Sequence, residues 1–331
     1  MSNIIIITKF VDLIPKLSIY MRKLKPVILA AAAMLLAVMP SFAQGGGDAM
    51  PFARIDRNPA NAGLGFAGAA SASDIAWSSF SNSAIIPFFD RTFDAAASVQ
   101  LWAPDGAKST IINAGAGYRV NDRIGFGIGF ATQSYQSYET VDDYGVQTGS
   151  FTPKALVVNG GMGIRFADAV SVGANFRYLR QTVTDAKTLD AFAADVMLYY
   201  KPVPEAGIAA GVVSVGTKVK SVSGKTYDLP ASAKLAGDYT FRFQENAIKA
   251  VADLDYFFAG DFSAAGGLQY SYNDLFFLRG GYHYGKEDSV LPSFATLGAG
   301  IKISGVKVDV AWLTANKDLG NTITIGLGYT F

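Results

Sequence analysis

From Thr92 to the C terminus the chain repeats one pattern. Segments of about ten residues alternate bulky apolar positions with small or polar ones, the period of a strand with two unlike faces. Fourteen such segments are legible: 92–102, 109–119, 123–133, 154–166, 169–181, 189–200, 206–215, 231–241, 247–258, 262–272, 274–284, 294–303, 306–315 and 321–331. In 123–133, Ile124, Phe126, Ile128 and Phe130 oppose Arg123, Gly125, Gly127 and Gly129. In 274–284, Phe276, Leu278, Tyr282 and Tyr284 oppose Arg279 and His283. The last segment puts Ile323, Ile325, Leu327, Tyr329 and Phe331 on one face and ends there, with no polar tail.

Fourteen strands with the apolar face inward would enclose more space than one layer of side chains fills. With the apolar face outward the pattern fits lipid outside, polar groups inside and aromatic residues at the two interfaces. The expected fold is therefore all-β: a transmembrane antiparallel β-barrel of about fourteen strands over 92–331. Closure removes the unpaired edges that hydrocarbon penalises. Tight links at 120–122, 167–168, 273 and 304–305 largely alternate with longer ones at 134–153, 182–188, 216–230 and 285–293. Periplasmic turns and extracellular loops alternate in this way.

Composition agrees. Half the chain is apolar and 17% is charged, with 35 Gly, 23 Phe, 16 Tyr and no Cys. A formal charge of +1 gives no case for nucleic acid. Arg22, Lys23 and Lys25 precede the apolar run 26–39, and Ser41-Phe42-Ala43 precedes Gln44. That is the layout of a secretory signal peptide cleaved after Ala43, with translation starting at Met21 and 1–20 an upstream extension. Residues 1–43 hold five basic groups and one acidic group, so the mature chain carries −3. An exported barrel of this kind is expected in the outer membrane of a Gram-negative bacterium, among outer-membrane lipids.

Residues 44–91 have no sustained period but are rich in Gly, Ala, Ser and large apolar residues such as Phe52, Trp77 and Phe80. They are expected to lie in the lumen or across its periplasmic mouth as a plug. Their motif residues are Arg57, Ala62, Gly63, Leu64, Gly65, Gly68, Asp74 and Asn82. Read with Ala67, Ala69 and Asn82-Ser83-Ala84, this stretch resembles the PorV/PorQ group within the FadL-like outer-membrane barrels. That group usually has Asn-Pro-Ala where this chain has Asn82-Ser83-Ala84; its own Asn58-Pro59-Ala60 precedes the Gly-rich stretch. The resemblance implies a non-enzymatic docking or scaffold component of a type IX-like secretion or surface-assembly system, with secretion-system or surface proteins as partners. The alternative it implies is a FadL-like channel for hydrophobic or amphipathic small molecules, with a lipid or fatty-acid-like ligand in the lumen. The terminal Tyr329 and Phe331 resemble the C-terminal signal read by the barrel-assembly machinery.

No constellation for catalysis stands out, and no catalytic site, metal or cofactor is expected. His283 is the single histidine and is read as a rim or luminal residue. Asp253 and Asp255 share a face about 7 Å apart, near Lys249, and are read as ion-paired. Asp142-Asp143 in a loop are too few carboxylates for a cation site. The strand glycines of 125–130 precede no helix and hold no phosphate. The inward face carries a charge network expected to hold strands and plug together: Arg119, Arg165, Arg177, Asp195, Lys249, Asp253, Asp255 and Arg279, with Arg123, Lys234, Lys302, Lys307, Asp94, Asp238 and Asp309.

Overall fold

The structure is a computed structural model describing residues 49–71, 74–103, 108–142, 144–184, 187–221, 223–287, 289, 291–315 and 321–331. The expected signal peptide and upstream extension, residues 44–48 and Asp143 lie outside the described residues.

Fourteen strands form a closed antiparallel barrel in which every strand pairs with its sequence neighbours and the last with the first. They are β1 (Phe93–Trp102), β2 (Ser109–Arg119), β3 (Ile124–Tyr135), β4 (Lys154–Ala167) and β5 (Val170–Thr184). Then come β6 (Lys187–Val203), β7 (Ala206–Gly216), β8 (Ser232–Phe243), β9 (Asn246–Phe257) and β10 (Asp261–Tyr272). β11 (Phe276–Tyr284), β12 (Phe294–Ile303), β13 (Val306–Ala315) and β14 (Asn321–Thr330) complete the ring. Closure runs from Asp94↔Thr330 to Leu101↔Ile323. The expected fourteen strands are all present, with β5 and β6 extending furthest beyond what the alternation alone suggested. Two small hairpins, Tyr138–Val141 with Gln147–Phe151 and Val219–Lys220 with Thr226–Tyr227, stand within the longest loops.

The period-two pattern decides which face is outside. Along β14, Ile323, Ile325, Leu327 and Tyr329 are exposed, while Thr322, Thr324 and Thr330 are buried. Ile128 on β3, Phe176 on β5 and Leu278 on β11 are 66%, 67% and 61% exposed. These rows form the lipid-facing surface. At one end, tight turns join the strands. In the two-residue link Ser304-Gly305 both residues have positive φ, the mirror-image turn whose twist matches paired strands. Long loops occupy the other end.

The segment before β1 runs inside the barrel from the loop end to the turn end. Its first described residue, Ala49, donates its N–H to Asp228 O (2.8 Å), and Thr92 donates to Phe331 O (3.1 Å). Met50, Phe52, Ile55 and Phe66 pack with Trp102, Leu229, Leu291, Phe294 and Leu313 at the loop end. Ile75, Ile85, Ile86 and Phe89 pack with Met197, Tyr199 and Ala209 further down. Of the two expected placements, in the lumen or across the periplasmic mouth, the described path follows the first and continues to the loop end. The apolar residues 50–55 find their cover at the opposite mouth.

Candidate functional site

The luminal segment consists of short turns, because it has neither a helical period nor strand alternation. Asn58 accepts from Ala60 N–H through its side chain and begins a single helical turn, Pro59–Ala62. Asn82 does the same for Ala84 and begins the 3-10 stretch Ser83–Phe88. Both Asn-x-Ala elements therefore work as N-caps, with or without the proline.

The barrel wall supplies the partners that these turns lack. Asp253 on β9 accepts from Gly68 N–H (3.0 Å) and Ala69 N–H (3.1 Å). Asp94 on β1 accepts from Ile75 and Ala76. Thr296 Oγ1 accepts from Gly65 N–H at 2.9 Å. Gly65 has φ +73°, and a side chain there would meet Tyr282 O at 2.6 Å. Ser98 Oγ donates to Arg57 O, and Gln100 Nε2 to Asp56 O. Asn82 Nδ2 donates back to Ala69 O within the segment. A buried irregular backbone must find such partners.

The charged residues group into clusters. On β5 and β6, Arg177 is ion-paired with Asp195 and also donates to Phe80 O and Ser214 Oγ. Ser214 sits at positive φ where the β6–β7 register slips, and Asp195 accepts its N–H. Lys234 on β8 lies 2.7 Å from Asp255 and 3.7 Å from Asp253, so the paired aspartates form ion pairs. Lys249 donates to Ser71 Oγ (2.9 Å). Arg279 bonds Asp309 (2.7 Å) and Gln269 (2.7 Å). Lys307 bridges Asp309 and Asp74, both at 3.1 Å. Arg119 and Arg165 are drawn to the turn end and do not reach the depth of the lumen. Arg119 bonds Asp122, while Arg165 bonds the carbonyls of Ala167 and Asp168 and lies over the Phe88 ring. Arg123 is exposed. His283 is buried, stacked on Phe294 (4.9 Å) with Phe66 at its edge.

Of the segment's motif residues, Ala62 is fully buried, Gly63 backs onto Gly298, and Leu64 packs on Val251. Arg57 is buried and donates Nη2 to Phe52 O at 2.7 Å. Asp56, not singled out by sequence, is as central. Its carboxylate accepts from Asn58 N–H (2.7 Å) and Asn61 Nδ2 (3.1 Å). Burial pushes it up to about 6, and burial lowers the Arg57 guanidinium to about 10. The signal available was local: Asp two residues before an Asn-Pro-Ala is a turn-forming acceptor.

Two cavities flank this segment. The one toward the loops, about 130 Å³, is lined by Arg57, Phe66, Trp77, Phe80, Arg177 and Leu179, among others. The one at the turn end, about 590 Å³, is lined by Asn58, Asp74, Arg91, Lys249, Arg279 and Lys307, among others. They share no lining residue. Arg57 faces one and Asn58, its chain neighbour, faces the other, so the partition is about one segment thick.

This architecture recurs in solved structures. The toluene transporter TbuX of Ralstonia pickettii matches with a TM-score of 0.59 at 15% identity, over 82% of this chain and 97% of that one. The likeness is one of fold: a closed outer-membrane barrel of the same architecture. The Pseudomonas putida toluene transporter TodX matches with a TM-score of 0.59 at 13% identity, over 87% of this chain and 98% of that one. The monoaromatic hydrocarbon channel CymD gives 0.58 at 13% identity, over 82% and 96%. No protein-family model matches the sequence, and no curated protein sequence matches it. A closed barrel with an apolar outer face belongs in the outer membrane of a Gram-negative bacterium. The neighbouring proteins named here are transporters and channels.

Proposed function

We propose that the protein is a non-enzymatic outer-membrane channel for hydrophobic or amphipathic small molecules. The observation that carries this reading is the thin partition: consecutive residues Arg57 and Asn58 line cavities on opposite sides of it. A solute held in the outer cavity is one segment away from the vestibule at the turn end. That segment is fixed by polar contacts such as Asp253 with Gly68 and Ala69, which a local shift can break without disturbing the barrel ladder. The likeness to toluene and monoaromatic hydrocarbon transporters supports the same solute class. It favours the channel over the secretion scaffold that the 52–86 stretch implied.

Proteoliposome flux tests it. Protein-containing vesicles should accumulate toluene faster than empty ones. Cysteines at Ala69 and Asp253, in a chain with no other cysteine, should abolish the difference when oxidised and restore it on reduction. Equal rates in the presence and absence of protein would exclude a channel.

A further inference from the structure

Two arginines that line the outer cavity each leave a buried guanidinium N–H without an acceptor. Arg57 is 4% exposed, and no carboxylate forms an ion pair with it among the described residues. Its Nη2 is donated to Phe52 O, while its buried Nη1 has no partner. Arg177, 7% exposed, is held by Asp195, Ser214 and Phe80 O, and its Nε is left without a partner. The carboxylates that line the cavity are engaged elsewhere. Asp253 is taken by Gly68 and Ala69 N–H, Asp255 by Lys234 and Ser232, and Asp56 by Asn58 and Asn61. A buried N–H without an acceptor is unfavourable, the more so when it belongs to a charged group.

Size and lining narrow what can supply the acceptor. A cavity of about 150 Å³ holds benzene, so 130 Å³ limits a ligand to a single ring at most, with any polar substituent directed at the guanidinium groups. Trp77 and Phe80, with ring centroids 6.1 Å apart, and Phe66 and Leu179 give it apolar walls. Guanidinium groups pair with carboxylates through charge-assisted hydrogen bonds.

Resting on the channel reading, we propose that the outer cavity binds a compact single-ring aromatic monocarboxylate, its carboxylate on Arg57 and Arg177 and its ring against Trp77 and Phe80. The recognition is ionic, so a neutral ring of the same shape binds less well.

The test is calorimetry of the full-length protein in detergent with benzoate and with its neutral analogue benzyl alcohol. Wild type should prefer benzoate by about tenfold or more, as a charged hydrogen bond implies. Parity between the two overturns the proposal without recourse to any variant. In Arg57→Gln, whose folding is checked by heat-modifiable gel mobility, benzoate affinity should drop about ten- to hundredfold while benzyl alcohol is unaffected. Arg57→Lys should recover part of it. Unchanged benzoate affinity in Arg57→Gln would also overturn the site. Toluene flux without benzoate preference rejects this inference alone; absence of flux for every solute rejects the channel.

Discussion

The ammonium of Lys307, on β13, lies 3.1 Å from the carboxylate of Asp74 in the luminal segment, 233 residues away in the chain. It is a charged tie between segment and wall at the turn end, and Asp309 shares the same ammonium. Replacing Asp74 by Asn leaves Lys307 one counter-charge. The loss should be roughly 1–3 kcal/mol of seating energy. In planar bilayers Asp74→Asn should show more frequent open events than wild type, with the barrel still heat-modifiable. Identical traces would mean that this tie does not hold the segment.

Gly163 on β4 marks a close approach of the segment to the wall. A Cβ there would collide with Ser83 O, a backbone atom that cannot swing away. Gly163→Ala should therefore displace the Ser83 turn, at about 1–3 kcal/mol, and leave β3–β5 paired. Limited proteolysis should cut within 78–90 faster than in wild type. Gly160 on the same strand has nothing within 4 Å of its Cβ, and Gly160→Ala should behave as wild type.

Asp56 gives the seated segment a pH dependence. Its carboxyl is raised to about 6 from 3.8, first by burial. Asn58 and Asn61 hydrogen bonds oppose that rise, and Asp253, Lys234 and the neighbouring Arg57 are charges that face it. A raised carboxyl binds its proton more tightly when folded than when unfolded. Seating is thus favoured below about 4, weakens as pH rises through about 6, and is level above that. The whole effect is at most about 3 kcal/mol. Proteolysis of the segment should quicken between pH 4 and 6.5 in wild type, and Asp56→Asn should flatten that profile.

Phe331 ends the chain 70% exposed, while its backbone N–H donates to Phe93 O (2.8 Å). Its ring contributes little to the lumen. Phe331→Ala should leave purified, refolded protein as stable as wild type within about 0.5 kcal/mol. If the residue is an assembly signal, the folded fraction in cell membranes should fall severalfold. Equal folded fractions in cells would leave Phe331 as an ordinary end of a strand.

The barrel could be read from sequence because the membrane imposes one rule on every strand. Alternation with apolar side chains on one face gave the strand number, and link lengths gave the two ends. The luminal segment obeys no period, so its path was hidden. Which acidic residue binds backbone and which binds a base depends on contacts between residues far apart in sequence. Asp253 was visible as an inward acid, but its bonds to Gly68 and Ala69 were not. Lys234 and Lys249 look alike along their strands, yet the first pairs with Asp255 and the second reaches Ser71. Asp56 lay in an aperiodic stretch, where no alternation marks a residue as inward.

Tethering of the segment at both mouths, Ala49 to Asp228 among the loops and Thr92 to Phe331 among the turns, has a consequence for handling the protein. Cargo attached ahead of Ala49 has to be carried through the bore and displayed on the cell exterior. A small epitope tag can make that journey, whereas a folded fusion partner would jam it and hold the β1–β14 seam ajar.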